Sequence, residues 1–199
     1  MDRDHYHHGA LKKELISKGL LLLNREGYEG LSLRKVAVMC GVSHSAPYKH
    51  FRSKEELISA IVHEVTGSFN TALNNALLLH PDNPPMQIVE LGRQYVKFMV
   101  ENPEYLKFLF LSDNDCPIII ENNDFHFEGN VNFEIVKKSV ENYLKAIDYR
   151  SDDAIISTLS MWSLVHGITV LIVNKSIIYD GDYLGLVTKM IIETFHIKL

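Results

Sequence analysis

The sequence contains few of the residues that mark several common protein classes. It has 2 cysteines in 199 residues, Cys40 and Cys116, so a disulfide framework is excluded and a reducing compartment is expected. Its 11 glycines and 6 prolines are too few for a collagen-like or low-complexity chain. Lysine and arginine total 20 against 25 acidic residues, a net charge of -5. No basic excess over the whole chain therefore points to a nucleic-acid partner.

Motifs that carry catalytic chemistry are also missing. The sequence has no paired carboxylates, no Cys/His arrangement, no phosphate-binding glycine loop and no cluster of metal ligands. We therefore expect no enzyme activity, no cofactor and no bound metal. Residues 1–5 do not form a charged and then apolar signal segment, which favours a cytoplasmic location.

One long segment carries no charge at all. Residues 154–174 contain no Asp, Glu, Lys or Arg, and about 20 apolar residues are enough to span a bilayer. Polar side chains nevertheless recur along the segment, at Ser157, Thr158, Ser160, Ser163, His166 and Thr169. A helix that is apolar on several faces is also typical of a buried central helix. We favour this interpretation and expect no membrane contact.

Apolar spacing and helix-terminal residues predict an all-α fold of about nine helices. The predicted helices cover residues 9–26, 32–40, 43–50, 54–79, 86–101, 105–111, 131–148, 151–175 and 182–197. Residues 118–120 fit either a short extended piece or part of a helix. Charge divides the chain within the fourth helix, because residues 1–66 have a net charge of +2 and residues 67–199 a net charge of -7.

Two of these short helices, joined by a glycine, form a helix-turn-helix pattern over about residues 32–51. Residues 32–40 and 43–50 each begin with an N-cap serine, and Gly41 between them can turn the chain. Such a motif places its second helix in the DNA major groove while the first crosses the backbone. The second helix presents polar and amphipathic side chains and has basic neighbours. These residues are His44, Ser45, Tyr48, Lys49 and His50, with Arg34, Lys35, Arg52 and Lys54 around them.

A resemblance to the TetR family of bacterial transcriptional regulators extends over about residues 9–69. It rests on GLSLRKVA at residues 30–37, GVS at 41–43 and YKHFRSKEEL at 48–57. A narrower resemblance is to the subgroup with a WHG-type C-terminal domain. It is carried by Tyr6, His7, His8, Gly9, Ala46, Pro47, Tyr48, Trp162, His166 and Gly167. Ala10 departs from this subgroup, in which aspartate is common at that position.

The resemblance implies a DNA-binding domain at residues 9–69 and a C-terminal effector-binding and dimerisation domain at residues 70–199. In this family the last two long helices pair with those of a second copy, and a cavity in the C-terminal domain binds a small molecule. The implied function is a sequence-specific regulator of transcription, a repressor that a small-molecule effector releases. Its implied partners are double-stranded DNA with a near-palindromic operator, an unknown effector and a second copy of the chain.

The resemblance also assigns roles to single residues. Phosphate contacts are implied for Ser32, Ser43, Tyr48 and Lys54, and His44, Ser45 and Lys49 are the candidates for base contacts. Arg34 and His50 complete the predicted DNA-binding set. The candidate effector-pocket residues are Met99, Phe108, Phe110, Trp162 and His166. In the alternative interpretation Trp162 belongs to the core and His166 forms an internal hydrogen bond.

A second function is compatible with the same DNA-binding domain. An architectural or cell-cycle DNA-binding protein would have a protein partner in place of the effector. Such a protein would bind at many dispersed sites, and metabolites would not change its binding.

Overall fold

The structure, a computed structural model, describes residues 3–111, 118–122, 124–127, 133–149 and 154–198. The side chains of Tyr6, His7 and His8 and the whole of Cys116 lie outside this description. The predicted all-α fold is confirmed, since the described residues form eight α-helices and a single two-stranded hairpin.

The α-helices are α1 (Arg3–Gly30), α2 (Leu33–Met39), α3 (Lys54–Leu78), α4 (Pro84–Glu101), α5 (Pro103–Leu106), α6 (Glu134–Ala146), α7 (Ala154–Val173) and α8 (Tyr183–Thr194). A 3-10 helix, Ala46–Lys49, follows α2, and a π-helical turn, Lys107–Leu111, follows α5. Strand β1 (Ile118–Glu121) pairs antiparallel with β2 (Asp124–Phe127). Residues 118–120, for which the sequence left two possibilities, are therefore extended.

The observed bounds differ from several of the predicted ones, as at the third and fifth predicted helices. The helix predicted for residues 43–50 is a 3-10 helix over Ala46–Lys49 alone. Pro84 and Pro85, which we expected to precede the next helix, are the first residues of α4. Asn83 caps this helix, because its Oδ1 accepts a hydrogen bond of 3.1 Å from the Met86 amide. Proline suits this first turn because the amide that it lacks has no partner within the helix.

The contacts divide the chain into two compact units. The first unit, here called the head, contains the described residues within Met1–Gly67 and Glu104–Asn114. The second unit, the body, contains those within Ser68–Pro103 and Asp115–Leu199. The boundary in α3 lies close to the one predicted after residue 69. Residues 104–111 differ from the prediction, because they belong to the head and not to the C-terminal domain.

Leucine dominates the core of the head. The buried cluster contains Leu15, Leu20, Leu22, Leu23, Leu31, Leu33, Val36, Phe51, Leu57, Ile61, Val65 and Phe108. Phe108 comes from the π-helical turn and lies more than forty residues after Val65, the preceding member of the cluster in the sequence. The Asn24 side-chain amide fixes the same segment, because its Nδ2 donates to the Glu104 carbonyl at 2.9 Å and to Glu104 Oε2 at 2.6 Å.

The end of α2 sets the direction of the chain in the helix-turn-helix. The Gly41 amide donates to the Val38 carbonyl at 3.1 Å, and the Val42 amide donates to the Ala37 carbonyl at 3.0 Å. Together with φ of 66° at Gly41, these two bonds make a Schellman motif. Glycine suits this position because a Cβ atom is strained in the left-handed region.

Helix α4 is the centre of the body and packs against α6, α7 and α8. Gly92 lies where the helices approach most closely. A Cβ atom at this residue would lie 2.5 Å from Ile191 Cδ1 and 3.2 Å from Val165 Cγ1. The hairpin joins this core through Phe125, whose ring centroid is 5.3 Å from that of Phe133.

The uncharged helix α7 is long and apolar enough to cross a membrane by length and composition, and 28% of its apolar window is buried. Its buried face carries Thr158, Met161, Val165, Ile168 and Thr169. The opposite face, here called the α7 stripe, is exposed and consists of Ile156, Ser160, Ser163, Gly167 and Leu171. We expected a buried central helix. In the single chain, one face of α7 is buried and the opposite face is exposed.

Two glycine substitutions should change stability in opposite directions. Replacing Gly41 with alanine puts a Cβ atom at a positive φ and should lower the free energy of unfolding by about 1 kcal/mol. Gly67 is an exposed residue inside α3 with no atom within 4 Å of the position of a Cβ. Gly67→Ala should therefore raise the free energy of unfolding by about 1 kcal/mol through helix propensity. Urea denaturation of both variants measures this difference, and equal effects would contradict the assigned backbone conformation.

Candidate nucleic-acid interface

Five of the residues predicted to contact DNA lie together on an exposed surface of the head. Ser43, His44 and Ser45 are exposed in the turn, and the Oγ atoms of the two serines are 3.2 Å apart. Tyr48 and Lys49 are exposed on the 3-10 helix that follows. We call these five residues the recognition surface.

The neighbouring apolar residues explain why this surface faces outward. Pro47 and Phe51 are buried, and Ala46 is half-buried beside them. Because the inward positions are apolar, the polar side chains of the recognition surface lie in solvent. Tyr48 is 51% exposed, so its phenol is accessible to a ligand. His50 differs from the other candidates, because it is half-buried with its ring centroid 6.4 Å from that of Phe51.

The start of α2 contributes a second group of predicted contacts. Ser32 is its N-cap, and the serine Oγ accepts a hydrogen bond of 3.2 Å from the Lys35 amide. Arg34 is exposed in the first turn. The Lys35 ammonium is already engaged, since its Nζ lies 2.8 Å from Glu26 Oε2 and 2.9 Å from the Gly30 carbonyl. The hydrogen bond from Lys35 is the main reason that the pKa of Glu26 is lowered.

Lys54, the fourth predicted phosphate contact, is the first residue of α3. Its Nζ donates to the Tyr28 carbonyl at 3.1 Å and lies 3.7 Å from the centroid of the Tyr28 ring. Our reading of the sequence did not select Tyr28. An exposed aromatic residue beside the glycines at the end of α1 is the signal that could have identified it.

The body contains a small apolar cavity with a free volume of about 40 Å³. Its walls come from α3, α4, α6, α7, α8 and the residue after α8, and they include no charged side chain. The lining residues are Leu73, Ile88, Leu91, Gly92, Tyr95, Val136, Val140, Met161, Trp162, Val165, Ile191 and Phe195.

Of the five predicted effector-pocket residues, Trp162 lines this cavity. His166 lies one turn further along α7 and bonds through Nδ1 to the Tyr95 hydroxyl at 2.7 Å. Met99 is fully buried but does not line the cavity. Phe108 packs in the core of the head, and Phe110 belongs to the same unit. The structure therefore does not bring these five residues together. His166 instead forms an internal hydrogen bond, as in the alternative interpretation of the sequence.

The pair formed by Tyr95 and His166 is neutral. Burial raises the pKa of the Tyr95 phenol and lowers the pKa of the His166 imidazole, so each group stays uncharged near neutral pH. The Tyr95 hydroxyl and His166 Nδ1 share one hydrogen bond, in which Nδ1 accepts when the ring proton is on Nε2 and donates when the proton is on Nδ1. The rings of Trp162 and His166 are in contact, with centroids 5.4 Å apart.

A larger and more polar pocket lies beside the hairpin, with a volume of about 490 Å³. Lys137 of α6 donates to Asp124 of β2 at 2.5 Å at its rim, which lowers the pKa of the carboxyl group. Glu141, Lys145 and Tyr149 also line it. Its two acidic and two basic side chains balance, so the pocket favours neither sign of charge. Reading the sequence did not identify it, because its residues come from separate elements.

Two further observations concern site chemistry. Within the described ranges, no group of three or more His, Cys, Asp or Glu side chains is placed to hold a metal ion. Cys40 at the C-cap of α2 is half-buried, and burial raises the pKa of its thiol. A raised pKa leaves less reactive thiolate at neutral pH.

Two family models match the chain. A model described as bacterial regulatory proteins of the tetR family matches residues 15–61. A model described as the tetracyclin repressor-like C-terminal domain matches residues 88–191, which is more than half of the chain. The first match contains the helix-turn-helix, and the second contains the cavity residues from Ile88 to Ile191.

Several known proteins are similar to this chain. The HTH-type transcriptional regulator YobS of Bacillus subtilis (strain 168), itself uncharacterized, is 24% identical over 178 residues, which cover 88% of this chain and 86% of YobS. The regulator YerO of the same organism, also uncharacterized, is 26% identical over 108 residues, or 53% of this chain and 37% of YerO. The chain therefore aligns with well under half of YerO.

Solved structures have the same fold. A protein of unknown function from Rhodococcus sp. RHA1 superimposes with a TM-score of 0.68 at 26% identity, covering 96% of this chain and 95% of that one. A bacterial regulatory protein in the tetR family from Rhodococcus RHA1 has a TM-score of 0.61 at 17% identity, covering 90% of this chain and 96% of that one.

The buried imidazole predicts how stability depends on pH. Below pH 6.5 or so the unfolded chain protonates this histidine, whereas folded His166 stays neutral until its lowered pKa is reached. The free energy of unfolding therefore decreases as the pH falls from the ordinary histidine pKa toward the lowered pKa of folded His166. His166→Asn keeps an acceptor for the Tyr95 hydroxyl and should flatten this dependence between pH 7.5 and 5.5. Thermal denaturation at several pH values measures it, with exposed His63→Asn as the matched control.

Proposed function

Since this chain belongs to the TetR family and is a DNA-binding transcriptional regulator, we propose that it acts as a homodimeric repressor that a small-molecule effector releases from its operator. Within the recognition surface, His44, Ser45 and Lys49 would read bases in the major groove. Phosphate contacts would come from Ser32, Ser43, Tyr48 and Lys54, and Arg34 and His50 complete the DNA-binding set. Binding to an operator places the protein in the cytoplasm of the bacterium.

The observation that carries the DNA-binding part is the exposed polar surface after Gly41. Five polar or amphipathic side chains face solvent on one short segment, while Pro47 and Phe51 anchor it to the head core. Lysine can donate to guanine acceptors, whereas serine hydroxyls and histidine rings are less selective. Lys49 is therefore the best candidate for discrimination between bases.

The α7 stripe supports the dimer. It is uncharged, with two large apolar residues at its ends and serine and glycine between them, so a second helix can approach closely. An exposed uncharged surface of this length, with large apolar residues at both ends, is typical of an interface. Two copies of one stripe form an isologous contact with twofold symmetry, and the operator would share that symmetry. Half-sites would then be separated by about one helical turn, or about 34–36 Å, or a multiple of it.

The cavity in the body supports an effector without net charge. Its described lining has no ionised side chain, and the nearest polar pair, Tyr95 and His166, is neutral. An ion buried there would lose its hydration without gaining a partner. The free volume of about 40 Å³ is small, so binding of a metabolite would displace side chains. This displacement is the conformational change that could couple to the spacing of two heads, with reciprocal effects on DNA and effector affinity.

The alternative of an architectural or cell-cycle protein with a protein partner has no observation in its favour. Its expected signature, binding at many unrelated sites, is an outcome of the next experiment.

Selection from random duplex DNA should recover a near-palindromic site. Lys49→Ala should relax the preference at one position of each half-site, at a cost of about 1–3 kcal/mol for the correct base. Tyr48→Ala should weaken binding to all sequences because a phosphate contact carries no sequence information. Selection followed by fluorescence anisotropy at two salt concentrations measures both effects.

Lys97→Ala is the matched control for the loss of one positive charge. This lysine is exposed on α4 in the body and should leave affinity and preference unchanged. Enrichment of no sequence, or a Lys49→Ala variant with the preference of the parent, would contradict the assigned recognition surface.

A substitution in the α7 stripe should separate the two copies. Gly167 is exposed and has no atom within 4 Å of the position of a Cβ, so arginine fits the single chain. Gly167→Arg should therefore fold normally but sediment as a monomer with weakened operator binding. Gly67→Arg is the matched control, because that glycine is equally open on another helix. A Gly167→Arg dimer in analytical ultracentrifugation would show that the interface lies elsewhere.

A further inference from the structure

Among the described residues, Tyr28 holds the ammonium group of Lys54. Its Nζ donates to the Tyr28 carbonyl oxygen at 3.1 Å and lies over the Tyr28 ring, 3.7 Å from the centroid. Both partners are uncharged, so the ammonium keeps its full positive charge. A lysine ammonium has three N–H donors, and in the described part of the chain no carboxylate pairs with this one.

The hydroxyl of the same tyrosine engages the next residue along α3. Tyr28 Oη donates to Glu55 Oε1 at 3.0 Å. Hydrogen bonds from Ser53, from the backbone and from Tyr28, together with the positive charge of Lys54, lower the pKa of this carboxyl group, so Glu55 is ionised at neutral pH. This carboxylate interacts electrostatically with the Lys54 ammonium, but the two groups form no ion pair. Tyr28 holds the two charges at different parts of its side chain.

Lys35 provides the contrast within the same unit. Its Nζ also donates to a backbone carbonyl, that of Gly30, but its other partner is the carboxylate of Glu26 at 2.8 Å. This ion pair must open, or the ammonium must share a donor, before Lys35 can bind a phosphate. The ring in place of a carboxylate is therefore what distinguishes Lys54.

We propose that Tyr28 is a positioning residue for a DNA phosphate contact made by Lys54. Its ring and carbonyl hold the ammonium in place without neutralising it, and its hydroxyl holds the Glu55 carboxylate so that the carboxylate does not form an ion pair with the ammonium. Because the Lys54 side chain is already ordered, it loses less conformational entropy when a phosphate binds its remaining N–H donor. This role rests on the proposed function, in which Lys54 contacts DNA.

The test compares variants by affinity for the selected operator over a range of salt concentrations. Lys54→Ala should reduce the slope of log affinity against log salt by about 0.9 for each phosphate that the protein no longer neutralises. Tyr28→Leu keeps apolar bulk but lacks the ring, and it should weaken binding by about two- to fivefold, the range of an exposed cation–π contact. Tyr28→Phe keeps the ring and should bind more tightly than Tyr28→Leu.

The carboxylate contributes a separate, measurable effect. Glu55→Gln should raise affinity more in the Tyr28→Leu background than in the parent, because it removes the charge that Tyr28 no longer restrains. The double variant with Tyr28→Leu and Lys54→Ala should bind no more weakly than Lys54→Ala alone, since Tyr28 acts through Lys54. A tyrosine that only stabilised the fold would show neither rescue nor this lack of additivity.

The outcomes distinguish failure of the inference from failure of the proposed function. Unchanged affinity and salt slope for Lys54→Ala would remove the phosphate contact, and the role of Tyr28 with it. A weakened Lys54→Ala beside a Tyr28→Leu that equals the parent would overturn the positioning role alone. Thermal denaturation checks that each variant is folded, and Tyr28→Gln replaces Tyr28→Leu if the latter is not.

Discussion

Two backbone hydrogen bonds at the end of α2 determine where the candidate DNA contacts lie. The bonds from the amides of Gly41 and Val42 to the last carbonyls of α2 turn the chain sharply, and φ of 66° at Gly41 makes this possible. The chain then enters a segment so short that Pro47 and Phe51 are enough to hold it. Tyr48 and Lys49 between them are left in solvent, and His50 is half-buried. A different turn would rotate the recognition surface as a whole.

The partner of each lysine determines where the head presents unpaired positive charge. Lys35 is paired with Glu26, whereas Lys54 lies on an uncharged ring and carbonyl. Since the net charge of the whole chain is -5, attraction of DNA depends on where unpaired positive charge lies and not on its total. The location of a lysine in a sequence motif does not reveal this difference, because the partner comes from another element.

The body accommodates polar groups without charges. Thr158 and Thr169 on the uncharged α7 donate to carbonyls four residues earlier in their own helix, at 2.7 and 2.6 Å. Their hydroxyls are therefore satisfied before any other helix packs on them. The Tyr95 hydroxyl and the His166 ring satisfy each other across two helices. These buried polar groups are therefore neutral, and the aromatic rings of Phe125, Phe133 and Trp162 follow one another through the body.

The sequence by itself determined the local features of this protein. The N-cap Ser32, the turn at Gly41 and the apolar spacing along α3 and α4 depend on residues within a few positions of one another, so the helices and the helix-turn-helix were predictable. Some helix ends were harder to predict from the sequence. At these ends Asp148, Lys175 and His196 have a positive φ, a conformation for which glycine is the usual sequence signal. The recognition segment was predicted in place but is shorter than expected, since Pro47 favours a tight first turn.

Only the tertiary structure decided which distant residues meet. Phe108, expected in a pocket, packs in the head because Asn24 holds Glu104 across a separation of 80 residues. His166 bonds to Tyr95 across 71 residues, and Lys54 rests on Tyr28 from another helix. Helical periodicity shows that a residue is buried but not what covers it, because packing free energy depends on the faces of both helices. The same physical limit explains why the effector-pocket residues, unlike the recognition surface, were not brought together.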